Sequence, residues 1–373
     1  MLYDLIVVGS GPAGSSAAIQ AARCGLNTLL IDQAIFPRDK TCAGGLTTAA
    51  CNYLPEPLPI DLCQRSISGL STWLGNHQAL HSQAECFMKT ISRAQFDSWL
   101  QSLAAASGVS LHLGDRALGY ELRRDGVAVR TRTGQLQGRM IIGADGANSI
   151  VARQLRRGTS HPMGYCLQME VPAARAANLI EIHYGVVPEG YGWVFPHRES
   201  QVIGVGGVLG HFPQARSHLL KIAQHHAVTT DAPIDAHTIP IGGRLLPVSG
   251  DGVLLVGDAA GFVDPFTGEG IRYALQSGQI AADTARHALL RHKVPLANHL
   301  LGYDDACRRE IMPQLRYAYH LSRAFFRFSR QLHPRLFGNP EPVEQLLDVL
   351  RGKSDYPHLT RWMLRNLPKL LLH

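Results

Sequence analysis

The chain opens on an apolar run, LYDLIVV, followed at once by GSGPAG and then by the small-residue stretch SSAAIQAARCG. An apolar run of that length bounded by glycine suits a strand buried on both faces. The stretch after it has helical spacing and stops at Gly25, a residue that readily closes a helix. NTLLID predicts a second buried strand ending at Asp32. Between Arg93 and Ser107 the spacing of Phe96, Leu100 and Leu103 predicts a helix with one apolar face. Val109–Leu113 and Val127–Thr131 read as strands, the second introduced by the turn signal Asp125-Gly126. RMIIGADGANS carries another apolar strand into Asp145 and Gly146. Residues 160–240 alternate polar and apolar segments, the pattern of an antiparallel sheet. Val253–Val256 then returns to a buried strand ending at Gly257 and Asp258, and a Pro/Gly loop leads to a helix beginning near Gly270. From about Ala282 the pattern is helical to the end and rich in arginine, leucine and aromatics.

Composition narrows the class. The 373 residues exceed the ~250–300 at which a single core stops growing, so two or three interleaved domains are expected. With 45% hydrophobic and 17% charged residues the chain is globular. A net charge of +7 favours anionic partners without choosing among nucleic acid, membrane and phosphorylated ligand. The seven cysteines include no CxxC pair, and the 18 histidines show no HExxH. Neither a disulfide framework nor a metal site is therefore expected, and the histidines read as surface or satisfied core residues. There is no basic n-region and no apolar run near the ~20 residues of a membrane span. The expected location is cytoplasmic or at a membrane surface.

The opening carries chemistry. Gly9, Gly11 and Gly14 have GxGxxG spacing, with Pro12 and Ala13 inside the motif and Asp32 at the end of the next strand. Gly9 allows the tight turn, Gly11 lets backbone approach a pyrophosphate, and Gly14 lets helix and strand pack closely. Asp32 accepts hydrogen bonds from an adenosine ribose. The stretch IFPRDKTCAGGL places Arg38 and Lys40 beside glycines, as a surface loop or as a backbone-lined loop near an anionic or flat ligand. The helix near Gly270 offers its N-terminus to an anion or dipole. PEGYGWVFP sets Tyr191, Trp193 and Phe195 at alternate positions between Pro188 and Pro196. That spacing puts three rings on one face of a strand, either as core or as the wall of a binding site.

Three separated motifs agree in order: GxGxxG with Asp32, GADG at residues 143–146, and Gly257-Asp258. Together they resemble the flavoprotein hydroxylase superfamily, which has the p-hydroxybenzoate hydroxylase fold. The resemblance implies an extended FAD, with Asp32 on the adenosine ribose and Asp258 on the ribityl hydroxyls. Asp145 falls in the stretch associated with pyrophosphate and nicotinamide, and Arg93 matches a cofactor-contacting arginine. Within that superfamily the chain resembles the geranylgeranyl reductases. Pro188, Tyr191, Trp193, Phe195 and Pro196 fit PxxYxWxFP, and Lys40, Cys42, Gly44 and Gly45 fit KxCGGG, from which Ala43 departs by one methyl group.

The fold so implied is α/β: a discontinuous FAD-binding Rossmann-like domain (residues 1–65, 90–158 and 240–285), an inserted antiparallel β-sheet substrate domain (66–89 and 159–239) and a C-terminal helical region (286–373). Arg38, Cys42, Ala43, Gly44, Gly45, Gly257, Pro265, Gly268, Gly270 and Ile271 join the expected FAD contacts, while Tyr191, Trp193, Phe195 and Pro196 would line the substrate cavity. The implied activity is reduction of C=C bonds in an isoprenoid chain, with NADPH or a ferredoxin as electron donor and Cys42 and Tyr191 as candidate proton donors. A flavin monooxygenase uses the same scaffold and is the alternative. A halogenase would carry WxWxIP where this chain has YGWVFP. A prenyl-binding escort protein like the Rab GDP-dissociation inhibitors would not need three intact FAD motifs. No nucleic-acid module is recognised. The C-terminal stretch sets Arg316, Arg323, Arg327, Arg330 and Arg335 among Tyr317, Tyr319, Phe325, Phe326 and Phe328, then Arg361, Arg365 and Lys369 around Trp362, Leu364, Leu367 and Leu371. These helices pack on their own domain or dock peripherally on a membrane. Oligomeric state is left open.

Overall fold

A computed structural model of the chain describes residues 2–372 apart from 84, 173–176, 212, 213, 227, 229, 230 and 245, and apart from the side chains of 367–372. The apolar runs become the centre of an eight-stranded sheet. Its main path runs Ser249–Gly250, Val253–Leu255, Gln135–Gly143, Leu2–Val8, Thr28–Asp32, Ser110–Leu113. From Val253–Leu255 to Ser110–Leu113 all neighbours are parallel. Leu5, Ile6, Val7, Leu30, Ile31, Ile141, Ile142 and Leu254 are wholly buried, as strands covered on both faces require. The first half of Gln135–Gly143 also pairs antiparallel with Gly126–Thr131, which pairs in turn with Ala117–Arg123.

The first helix, Pro12–Arg23, starts with Pro12 at its first turn, where the missing N–H is harmless. Its small residues let the long helix Ile271–Arg291 come close. A Cβ added at Gly278 of that helix would lie 2.5 Å from the Ala13 carbonyl oxygen.

Residues 160–240 contribute most of a seven-stranded sheet, ordered Asp235–Pro240, Met163–Pro172, Ser200–Val208, Tyr191–Pro196, Leu179–Tyr184, Gly69–Leu74, His77–Ser82. Neighbours are antiparallel with one exception: Leu179–Tyr184 runs parallel to Gly69–Leu74. Those two strands come from distant parts of the chain, so no hairpin dictates their direction. The sheet has two different faces. Val194, Ile203 and Val205 pack under Leu219, Ile222 and Ala223 of the helix Ala215–His225. Ile180 and Tyr184 point the other way, into a cluster with Phe325, Leu336, Phe337 and Leu347 of the C-terminal helices. A three-stranded sheet of Gly45–Thr47, Met88–Ile91 and Cys63–Ile67 joins the two large sheets, with the Thr90 hydroxyl donating to the Pro196 carbonyl at 2.7 Å.

Among the described residues no helix is long and apolar enough to cross a membrane. The aromatic stripe of the helix Met312–Arg327 is divided: Phe325 is fully buried, while Tyr317, and Phe328 just beyond the helix, are exposed. Arg316, Arg323, Arg327, Arg361 and Arg365 are exposed, as is Leu364. The side chains of Leu367, Lys369 and Leu371 lie outside the described residues.

Candidate functional site

At the carboxyl ends of Leu2–Val8 and Thr28–Asp32 the chain leaves a cleft of about 490 Å³, the place where ligands meet open α/β sheets. The glycine-rich turn forms one wall. Gly9 has φ +103°, and a Cβ there would lie 2.3 Å from the Ala144 carbonyl oxygen. A Cβ on Gly14 would lie 1.7 Å from the Gly9 carbonyl oxygen, whereas one on Gly11 would meet only Arg38 Nη2, at 3.8 Å. Gly9 and Gly14 are thus required by packing, and Gly11 is bare toward the cleft. The helix behind them has no side-chain cap, so its first N–H groups are free to meet an anion.

Asp32 lines the same wall. Its Oδ2 accepts from the Ser10 N–H at 2.6 Å and its Oδ1 from the Ala34 N–H at 2.8 Å, so it braces the glycine turn from the neighbouring strand. Arg38, Lys40, Cys42 and Arg93 converge on the cleft with Asp258, Gly268, Gly270 and Ile271. Arg93 donates through Nε and Nη2 to both oxygens of Asp97, at 2.9 and 2.8 Å, and Arg38 Nη2 reaches Asp97 at 3.1 Å. Burial opposes the Arg93 charge, but Asp97 outweighs it and holds the guanidinium protonated. Asp97 escapes motif reading, although its place four residues after Arg93 on a helix is a legible pairing signal.

Lys40 Nζ contacts His237 Nε2. Burial, reinforced by Arg93, pushes the Lys40 ammonium down to about 8. Burial and then Lys40 push His237 down to about 4, leaving a neutral imidazole that accepts from the lysine. Burial raises the Asp258 carboxyl, with Lys40 and Arg93 drawing it back. The cleft therefore carries several cationic groups beside the bare backbone of Gly11, an environment for a phosphate-bearing ligand.

Several expected residues are engaged by other contacts or lie outside the cleft lining. Asp145 lines the cleft, but its carboxylate accepts from the Ser149 hydroxyl and the Ile150 N–H, closing the N-terminus of the helix Ile150–Arg156. Ala43, Gly44, Gly45, Gly257 and Pro265 are not among the cleft-lining residues. Gly44 has φ +76° and packs on the Ile91 carbonyl, and a Cβ on Gly45 would lie 2.8 Å from Phe195 Cε2. Gly257 has φ +54°, with its N–H donating to Ser277 Oγ.

Tyr191, Trp193 and Phe195 share one face of Tyr191–Pro196, while Val194 packs on the other. Tyr191 and Phe195 lie against the apolar cluster of the C-terminal helices. The Trp193 indole is buried over Gly204, where a Cβ would lie 2.1 Å from Cζ2. Tyr191, Trp193, Phe195 and Pro196 do not line the cleft. The strand adjoins its wall at a junction where the Tyr191 hydroxyl donates to the Thr267 carbonyl and would lie 2.9 Å from a Cβ on the lining residue Gly268. Pro196 is buried at the far end. Beside this junction Glu269 contacts the Thr47 hydroxyl, and burial pushes its carboxyl up to about 7 against the pull of Thr47 and Arg272. Glu269 was not among the sequence candidates.

The FAD dependent oxidoreductase family matches residues 4–155. Over 333 residues the chain is 31% identical to digeranylgeranylglycerophospholipid reductase 1 of Methanothermobacter thermautotrophicus, covering 83% of each chain. It is 31% identical over 319 residues to menaquinone reductase of Mycobacterium tuberculosis, covering 75% of this chain and 76% of that one. A geranylgeranyl bacteriochlorophyll reductase-like protein from Thermoplasma acidophilum has the same fold, with a TM-score of 0.84 at 21% identity, over 98% of this chain and 99% of that one. The glycine turn, the brace from Asp32 and the cationic cleft suit an FAD, and the bare Gly11 leaves room for its pyrophosphate. The chain belongs to the geranylgeranyl reductase family of FAD-dependent oxidoreductases.

Proposed function

We propose that the protein reduces isolated carbon–carbon double bonds in the prenyl chain of a lipid. The observation that carries this reading is the junction at Tyr191: the hydroxyl at one end of the apolar ring face reaches Thr267, next to Gly268 of the cleft wall. A prenyl chain offers methyl groups and double bonds but almost no hydrogen-bonding groups, so shape and apolar contact must recognise it. Three rings on a strand backed by a helix make a stiff apolar wall. Their faces also favour positive charge developing on a protonated alkene, by roughly 0.5–2 kcal/mol per contact.

In this reading Asp32 holds the adenosine ribose of FAD, Gly11 and Arg38 face its pyrophosphate, and Asp258 holds the ribityl chain. The chemistry bound FAD supplies there is hydride delivery once it has been reduced, with NADPH or a ferredoxin as the source of electrons. The protein must exclude water and bring a proton to the second carbon. Cys42 lines the cleft, while the Tyr191 hydroxyl is committed to the Thr267 carbonyl. We therefore assign the proton-holding role to Cys42 in preference to Tyr191.

The test is anaerobic turnover of a geranylgeranyl lipid by chemically reduced protein, read by mass spectrometry. The expected product gains two hydrogens per double bond and no oxygen. Strict dependence on oxygen, with an oxygenated product, overturns the reading in favour of a monooxygenase.

A further inference from the structure

On the helix-covered face of the seven-stranded sheet, away from the rings, three side chains meet that the reaction does not use. Glu181 and His183 come from Leu179–Tyr184, and His226 is the residue that ends the helix Ala215–His225. Their ligand atoms all lie within 4.8 Å of one another. We propose that Glu181, His183 and His226 bind one divalent transition-metal ion, zinc by preference.

The spacing supports this. His183 Nε2 and His226 Nε2 stand 3.5 and 3.6 Å from the same Glu181 oxygen. Both ring nitrogens are shielded from water, and neither has a hydrogen-bond partner among the described residues. Hydrogen bonds of this kind run ~2.7–3.2 Å, so both histidines stand beyond that range from Glu181, at the distance of a loose ion pair. Ligands ~2.0–2.2 Å from a tetrahedral ion are themselves separated by ~3.3–3.6 Å, which is the gap between Glu181 and each histidine.

The surroundings hold the ligands in place. The His183 side chain is only 8% exposed, and its ring stacks parallel to Trp73 at 5.9 Å. Trp73 Nε1 donates to Glu181 at 3.1 Å, the outer hydrogen bond that ligating carboxylates usually carry. Two imidazoles and a carboxylate form a set that zinc accepts, with a fourth position left for water. The ion would tie the end of the helix to the strand, and His183 and Ile182 pair with Gly192 and Trp193. Metal binding would stiffen the ring strand from behind.

The test uses tag-free, full-length protein stripped with a chelator and titrated with cobalt and then zinc. The expected result is one equivalent bound, ligand-field bands of tetrahedral cobalt, and a Tm raised by zinc. Loss of an outer hydrogen bond lowers affinity by about 10–100-fold, so Trp73→Phe should weaken binding by about tenfold. Glu181→Gln and His226→Ala should each weaken it at least 100-fold. Far-UV circular dichroism and retained flavin check that these variants are folded, and His226 sits at a helix end where truncation is tolerated. Absence of cobalt bands and of a zinc-dependent Tm overturns the proposal. So does binding that survives unchanged in both ligand variants, which would assign the metal to adventitious histidines.

Discussion

Replacing Asp32 with alanine should act on the protein in two separable ways. In the absence of cofactor the side chain already braces the glycine turn through the Ser10 and Ala34 N–H groups, at 2.6 and 2.8 Å. Hydrogen bonds to an ionised group are worth ~1.5–3 kcal/mol each. Asp32 keeps some solvent contact, so the lower figure applies, or about 3 kcal/mol for the pair. For a chain of this length that corresponds to a fall in Tm of about 4 °C. If the carboxylate also accepts from the ribose of FAD, a further ~1.5–3 kcal/mol is lost on binding, roughly 10–150-fold in Kd. Asp32→Asn keeps an acceptor but turns an NH2 group toward a donor, so it should resemble the alanine variant. The assay is differential scanning fluorimetry of flavin-stripped protein alongside quenching of FAD fluorescence on titration. An unchanged apo Tm refutes the bracing role. A lowered Tm with unchanged FAD affinity refutes the ribose role alone.

Two other perturbations probe neighbouring parts of the site. Trp193→Ala should retain the bound-flavin spectrum while prenyl turnover falls at least tenfold, with a stability loss of about 3–5 kcal/mol because the indole is buried. Loss of the flavin together with the activity would mark Trp193 as core rather than wall. Burial holds the Glu269 carboxyl up at about 7 in the folded chain, against an ordinary 4.5, so its contribution is fully present below pH 4.5 and is lost as pH rises through 7. That loss is on the order of 3 kcal/mol. Glu269→Gln is neutral throughout, so its Tm relative to the parent protein should rise between pH 5 and pH 8, and parallel pH profiles would refute the assignment.

The buried strands were readable because runs such as Leu5–Val8 and Leu29–Ile31 are apolar on both faces, and only a covered parallel sheet needs that. The glycine turn and Asp32 were readable because their spacing is set by local backbone geometry. Helix boundaries were less so: the first helix begins at Pro12, before its apolar spacing becomes evident, because proline fits the first turn and glycine supplies no cap. Contacts made over long stretches of chain left no local trace. Lys40 meets His237 across 197 positions, and Glu269 meets Thr47 across 222. The parallel pairing of Gly69–Leu74 with Leu179–Tyr184 is equally silent, since strand order depends on what the rest of the chain already occupies. The ring strand gave its alternation but not the reason for Gly204, which is the footprint of Trp193 on the next strand.

The two-faced sheet also constrains how this chain can diverge. Along Leu179–Tyr184, Ile180, Ile182 and Tyr184 belong to the ring side and Glu181 and His183 to the helix side. Gain or loss of a single residue inside the strand would exchange those two sets, because side chains alternate strictly along it. It would bury a carboxylate and an imidazole among Phe325 and Phe337 and turn isoleucines toward the histidines. Descendants of this sequence should therefore change length in the turn between the two strands, around Gly185–Gly190, and keep the strands themselves free of single-residue insertions and deletions.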